Sequence, residues 1–179
     1  DGFTVTAVGR LGDLDRSLQE GQDAVLSLPA VLGAKGLAPK LQGLRGGAGD
    51  ETYSLVGVGA PPDPAKIKGV GALDILGRDG TTAFVNGLVG GTPKIERVSK
   101  VEDLLPLLQM EVVEAVLMPS RFLAEVKTTS KLELAQKELS KRVGLPAIAS
   151  VGPAGDQVVA AVSKMPASAL KALGVEAWR

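Results

Sequence analysis

Two short segments of the chain carry groups that could hold an anion. The first is residues 77–82, which lie between a predicted strand and a predicted helix. Its backbone N–H groups, including that of Gly80, and the hydroxyls of Thr81 and Thr82 could bind an anion at the start of the helix. Plain helix capping by Asp79 or Thr81 fits the same residues, and a carboxylate there would repel an anion. Both interpretations stay open.

The second segment is Ser120 and Arg121, which follow a predicted buried strand at residues 112–118. Open α/β sheets bind ligands at the carboxyl ends of their parallel strands. The Arg121 guanidinium could hold a carboxylate or phosphonate through two parallel hydrogen bonds, and Ser120 could add a third. Ser27 ends the matching strand at residues 24–28 and is the facing candidate. The alternatives are a helix-capping Ser120, a solvated Arg121 and an ordinary buried hydroxyl at Ser27.

The chain lacks the residue types that most catalytic and metal sites need. It has 179 residues without His or Cys, which excludes Ser-His-Asp triads, thiol nucleophiles, thiolate zinc sites, haem ligation and iron–sulfur clusters. No calcium-loop pattern and no nucleotide-binding glycine fingerprint occurs. The Gly-rich residues 44–51 could cradle phosphate or form a hairpin-like loop. We therefore expect no catalytic residue, no metal site and no cofactor, and predict that the protein is not an enzyme.

Charge and hydropathy narrow the set of partners. Twenty basic residues balance 20 acidic ones, which leaves no broad electrostatic reason to bind nucleic acid or an anionic membrane surface. No apolar run reaches the roughly 18 residues that a membrane-spanning helix needs, so we predict no transmembrane segment. Because the chain begins with Asp1 and not Met, we expect that a signal or lipoprotein segment has been removed.

Short apolar runs alternate with helix-like stretches, which predicts an α/β fold of two small lobes with mainly parallel sheets. Predicted strands are residues 3–8, 24–28, 52–58, 67–73, 94–98, 112–118, 146–151 and 158–162, and the strand at 24–28 is expected to be buried on both faces. Predicted helices are residues 11–20, 30–35, 77–89, 101–110, 119–126 and 167–173. Residues 132–143 fit either a helix or a strand.

Residues 17–26 and 107–117 form an internal near-repeat. Each copy has a helix end, an acidic residue, Ala-Val-Leu and a proline within three positions, which indicates either chance or two related lobes. The proline-rich residues 60–64 form a stiff connector. We therefore predict one lobe from residues 1–59 with 145–179 and a second from residues 65–130, with connectors at 60–64 and 131–144.

With these segments in view, the chain resembles the type 2 periplasmic substrate-binding proteins of ABC transporters, most closely their phosphate/phosphonate-binding branch. The resemblance rests on "LDRSLQEGQDAVLSLPAVL", "GLAPKLQGLRGG" with "ETYSLVGVG", "KIKGVGALDILGRDGTTAFVNGLVGG" and "SKVEDLLPLLQMEVVEAVLMPSRFL". It runs from about Val5 to Trp178, with Glu114 where the family usually has Asp. The family's usual first β-α unit, a strand, a ligand-contacting loop and a long helix, is expected to be absent or shortened in this sequence.

The resemblance implies a periplasmic or extracytoplasmic solute-binding protein or domain. Such a protein captures a small anionic ligand, phosphate-like or phosphonate-like, between two lobes and delivers it to an ABC transporter permease. Taken with the segments above, the resemblance makes these residues the expected ligand contacts: Ser27, Gly80, Thr81, Thr82, Ser120 and Arg121. The alternative is a binding-protein-like domain that does not transport a small molecule and acts as a protein-interaction module.

Overall fold

A computed structural model describes residues 2–179 of the chain. The elements in chain order are α1 Leu11–Gln19, β1 Ala24–Ser27, α2 Pro29–Ala34, β2 Leu41–Leu44, β3 Asp50–Val58, β4 Gly69–Leu73, α3 Gly77–Val89, β5 Lys94–Val98, α4 Leu104–Gln109, β6 Ala115–Pro119, α5 Leu123–Thr129, β7 Leu134–Gly144, β8 Ala147–Ser150, α6 Gly155–Val162, α7 Ala167–Ala172 and β9 Ala177–Trp178. Short 3₁₀ helices at Val101–Asp103 and Ser120–Phe122 precede α4 and α5. No helix of the described residues is long and apolar enough to cross a membrane.

The chain divides into two compact units. Unit 1 comprises Asp1–Glu51 with Gly144–Arg179, and unit 2 comprises Thr52–Val143. This division differs from the one predicted from the sequence, which placed the crossings at residues 60–64 and 131–144. The physical reason is that β3 pairs with β6 from Tyr53 to Val56, so this part of β3 belongs to the sheet of unit 2.

Unit 1 is built on a four-stranded sheet with the order β1-β8-β2-β9. Its β1-β8, β2-β8 and β2-β9 pairs are all antiparallel. Leu32, Leu145 and Ile148 are the largest fully buried side chains of this unit. The expectation that residues 24–28 are buried on both faces is wrong, because β1 is an edge strand whose Leu26 side chain is 36% exposed.

Two predicted strands of unit 1 are wrong. Residues 2–8 form no strand, and Val5 is 88% exposed, because alternation supplies the pattern of a strand but not the partner that it must pair with. Residues 158–162 belong to helix α6. A short continuous apolar run does not distinguish a strand from a buried helix segment.

Unit 2 contains a five-stranded mixed sheet with the order β5-β4-β6-β3-β7. Strand β4 runs parallel to both β5 and β6, whereas β3 is antiparallel to β6. The α/β class with two sheets is therefore confirmed. Parallel pairing joins β4 to β5 and to β6, whereas the pairs of the unit 1 sheet are antiparallel. Residues 132–143, which fitted helix or strand, form most of β7.

Two apolar clusters pack in unit 2. The first includes Leu55, Val70, Val85, Ala115 and Leu117, and brings α3 against the sheet. The second includes Val56, Val116, Met118, Leu104 and Leu108, and brings in α4. Because successive residues of β3 and β6 alternate between the clusters, these strands are covered on both faces. This arrangement fixes the ends of β4 and β6 between two layers of helices.

Candidate functional site

The loop after β4 is held by the Thr81 side chain. Thr81 Oγ1 donates a hydrogen bond to Asp74 Oδ1 at 2.9 Å and accepts one from the Leu76 N–H at 3.0 Å. Thr81 is 0% exposed. Its hydroxyl is therefore committed to the loop itself. Neither Asp79 nor Thr81 is the N-cap that the capping interpretation expected, because α3 begins at Gly77 with Leu76 as its N-cap and both residues lie inside the helix.

Arg97 of β5 ties the same loop to the neighbouring strand. Its Nη1 donates to Asp74 Oδ2 at 2.5 Å, and the Asp74 N–H donates to the Val98 carbonyl at 2.8 Å. The two charged side chains are only partly exposed, so this ion pair is less screened by solvent than a surface pair. The Asp74 carboxylate thus receives hydrogen bonds on both of its oxygens, which fixes the residues that lead into α3.

Helix α3 begins at this loop and runs for 13 residues from Gly77 to Val89. The first N–H groups of a helix have no acceptor within it, so the amides of residues 77–79 point out of the start of α3. Thr82 Oγ1 donates to the Arg78 carbonyl at 2.7 Å. A Cβ on Gly80 would lie 2.7 Å from Leu76 Cβ, so the close approach of loop and helix requires glycine there.

The second predicted segment follows β6 directly. Ser120 Oγ lies 2.8 Å from Ser54 Oγ of β3, and the Arg121 guanidinium carbon lies 4.3 Å from the centre of the Phe122 ring. Ser54 is 0% exposed, whereas Ser120 is partly exposed. The sequence analysis did not single out Ser54. A signal for it existed, since it is a serine between Tyr53 and Leu55 in the predicted strand at residues 52–58.

Strand register brings the two segments to one edge of the unit 2 sheet. The parallel pairs Val70↔Ala115 and Gly71↔Val116 make β4 and β6 end side by side, so that α3 and residues 120–121 follow neighbouring strands. Antiparallel β3 places Ser54 opposite Met118 at the same edge. We call this region the unit 2 edge; it contains the predicted contacts Gly80, Thr81, Thr82, Ser120 and Arg121.

Ser27 lies elsewhere, in unit 1. It is the last residue of β1, is partly buried and lies opposite Ala147 of β8. The ordinary-hydroxyl interpretation and the ligand-contact interpretation both fit this position.

The Gly-rich residues 44–51 form a tight hairpin. Arg45 and Ala48 exchange backbone hydrogen bonds of 2.8 and 3.0 Å around Gly46 and Gly47, which have φ of 54° and 78°. Positive φ at both central residues is the geometry of a two-residue hairpin turn. The Gly46 N–H already donates to Glu176 Oε2 at 2.8 Å. The loop is therefore a hairpin, and one of the amides that could have held phosphate is bound to a carboxylate.

Metal binding receives no support from the part of the chain that the structure describes. Within residues 2–179, no three acidic side chains come together as ligands for an ion. The donors at the unit 2 edge are N–H and O–H groups and a guanidinium, which suit an acceptor-bearing ligand and not a cation.

Comparisons with known proteins identify the fold. No family model matches the chain, and no curated protein sequence matches it. Similar solved structures include XAC2383 from Xanthomonas citri bound to chloride, with 14% identity and a TM-score of 0.67 over 95% of this chain and 75% of that chain. Another is a Gly52Ala mutant of arginine-bound ArgBP from T. maritima. It has 14% identity and a TM-score of 0.60 over 88% of this chain and 72% of that chain.

A third similar structure is the amino acid ABC transporter substrate-binding protein AbpA from Streptococcus pneumoniae bound to L-arginine. It is 16% identical with a TM-score of 0.61 and covers 92% of this chain and 68% of that chain. At such identities the likeness shows the fold alone. The fold is that of the type 2 periplasmic binding proteins, as the resemblance in the sequence implied.

Proposed function

We propose that the chain is an extracytoplasmic solute-binding protein or domain whose unit 2 edge binds the oxyanion group of a small solute. The proposal rests on one observation: three kinds of hydrogen-bond donor lie just after the adjacent parallel strands β4 and β6. These donors are the first amides of α3, the Ser120 hydroxyl and the Arg121 guanidinium. Amides at a helix start and a guanidinium both favour negative charge.

The predicted contact residues take different roles in this proposal. Ser120, Arg121 and the amides of residues 77–79 contact the ligand. Thr81 does not contact the ligand, because its hydroxyl is bound to Asp74 and Leu76. Gly80 and Thr82 determine the local geometry at the start of α3. Ser27 stays a proposed contact from unit 1.

The ligand class is proposed from the donors at the unit 2 edge. The structures of similar fold hold chloride or arginine, and a second structure of XAC2383 holds ATP. Arginine carries a carboxylate. The common chemistry is an anionic group, so we propose a phosphate, phosphonate or carboxylate. Delivery to an ABC transporter permease belongs to the same proposal, supported by the ABC transporter substrate-binding proteins of similar fold.

Thermal unfolding with added solutes tests the proposal. The probes are inorganic phosphate, methylphosphonate, L-arginine and ATP. A ligand at 100 times its Kd stabilises the native state by about 2.7 kcal/mol, which raises the Tm of a chain of this size by several degrees. We expect at least one probe to do so and Arg121→Ala to abolish the shift.

Arg16→Ala is the matched control, because Arg16 is a well-exposed arginine of α1 in unit 1. It should leave the ligand-induced shift unchanged. No response to any of the four probes, or an undiminished shift in Arg121→Ala, would contradict the proposal.

A second function, a protein-interaction module without a small ligand, is favoured by one observation. Val101, Met110 and Val112, which flank α4 in unit 2, are exposed, and Met110 is 66% exposed. Exposed apolar side chains of this kind suit contact with another protein. Under this function no probe would raise the Tm, so the same experiment separates the two.

A further inference from the structure

We propose that Ser54 is a positioning residue that sets the direction of the Ser120 O–H group, so that Ser120 acts as a hydrogen-bond donor to the ligand. The inference rests on the proposed function, since it describes how the unit 2 edge recognises its solute. Ser54 is placed to do this because it lies in β3 opposite Met118, next to the end of β6 from which Ser120 follows.

The surroundings of Ser54 are apolar. Its chain neighbours Tyr53 and Leu55 belong to one apolar cluster of unit 2, and Val56 belongs to the other. Ser54 itself is 0% exposed. Within the described residues, the hydroxyl of Ser54 has Ser120 Oγ as its hydrogen-bond partner, at 2.8 Å. A buried hydroxyl is costly without such a partner.

The distance alone allows either oxygen to donate, but burial distinguishes the two directions. If Ser120 donated, the Ser54 proton would be left inside the protein without an acceptor, and a buried donor without a partner carries an energetic penalty. If Ser54 donates, its single proton is satisfied. The Ser120 proton then stays on its oxygen and can be donated to another acceptor, and Ser120 is itself partly exposed. The second direction avoids the penalty, so Ser54 donates and Ser120 accepts.

This direction has a consequence for selectivity. With one lone pair of Ser120 Oγ taken by Ser54, the O–H of Ser120 is the group that faces outward. An O–H group recognises an acceptor such as a phosphoryl or carboxylate oxygen and offers less to an ammonium group. Ser54 therefore biases the unit 2 edge toward oxyanions without touching them.

A double-mutant cycle measured by isothermal titration calorimetry tests the inference. Inorganic phosphate and L-arginine are titrated in parallel, which separates a phosphoryl from a carboxylate ligand. For a probe that binds, Ser120→Ala should weaken affinity about ten-fold, as expected for a hydrogen bond to a charged group. Ser54→Ala should weaken it about three-fold because Ser120 is then free to rotate. The double variant should be no weaker than Ser120→Ala, because Ser54 acts only through Ser120.

Val56→Ala is the control for a purely structural effect. It truncates a fully buried side chain of the same strand, two residues from Ser54, and should destabilise β3 without changing affinity. If Ser54→Ala fails to fold, Ser54→Cys takes its place. Because a thiol is a weaker donor than a hydroxyl, we expect a loss of affinity in the same direction but smaller, and an unchanged affinity would overturn the role of Ser54.

Each outcome of the calorimetry supports or overturns either the role of Ser54 or the proposed function. Affinity losses that multiply in the double variant would overturn the inference, as would a loss in Val56→Ala equal to that in Ser54→Ala. An effect of Ser120→Ala without any effect of Ser54→Ala would overturn the role of Ser54 and leave the proposed function standing. Failure of all four probes, phosphate, methylphosphonate, L-arginine and ATP, to bind the unaltered protein would overturn the proposed function together with the inference.

Discussion

Strands β1 and β6 begin with the same three residues, Ala-Val-Leu, and follow similar helix ends, yet the two units use them differently. In unit 1, β1 pairs only with β8 at the edge of an antiparallel sheet, and Leu26 is half-exposed. In unit 2, β6 lies between β4 and β3, and Leu117 is 4% exposed. The same local pattern therefore specifies a strand in both units, while its neighbours decide whether it is an edge or a core strand.

The comparison also explains why the candidate site is in unit 2. Parallel β4 and β6 end at one edge, so the segments that follow them, α3 and residues 120–121, start side by side. Antiparallel neighbours end at opposite edges of a sheet. Ser27 at the end of β1 therefore has no parallel strand beside it whose end would bring a second polar segment.

The largest expected difference between the units concerns these two leucines. Leu117→Ala should lower the free energy of unfolding by about 3 kcal/mol, because it removes a buried side chain from a strand covered on both faces. Leu26→Ala should cost less than about 1 kcal/mol because that side chain already contacts solvent. Urea unfolding followed by circular dichroism measures both. Equal losses would contradict the edge-versus-core distinction.

Much of this fold could be predicted from the sequence. Helices α1, α3 and α7 and strands β3, β4 and β5 follow directly from periodicity and glycine positions. Prediction failed where partners decide the outcome: residues 3–8 have the right alternation but no strand beside them. The sequence also did not distinguish a helix from a strand in β7, because Leu139 and Val143 lie four residues apart, a spacing that is typical of one face of a helix.

A smaller difference is expected within the start of α3, between two adjacent threonines. Thr81→Val should cost about 2 kcal/mol, because it leaves Asp74 Oδ1 without its donor and the Leu76 N–H without its acceptor. Thr82→Val should cost about 0.5 kcal/mol or less, since Thr82 bonds only to a carbonyl of its own helix. Thermal unfolding of the two isosteric variants checks this order. The reverse order would show that the hydroxyl of Thr81 does not hold the loop.

The candidate site could be predicted only in part. Residues 77–82 and Ser120–Arg121 were found because they follow apolar strands, and the structure places both at the unit 2 edge. The groups that hold them, Asp74, Arg97 and Ser54, lie on three different strands or their ends. Nothing local links residues so far apart in the chain, because their contacts arise from strand order and register.

The most direct test of the claim that the unit 2 edge binds the solute is an NMR titration of ¹⁵N-labelled protein with inorganic phosphate and with L-arginine. The account predicts saturable shifts that are largest at the amides of residues 77–79 and 120–121, with one of the two probes. It also predicts that these shifts disappear in Arg121→Ala. Saturable shifts confined to unit 1 would contradict it, as would the absence of a saturable shift after methylphosphonate and ATP have also been titrated.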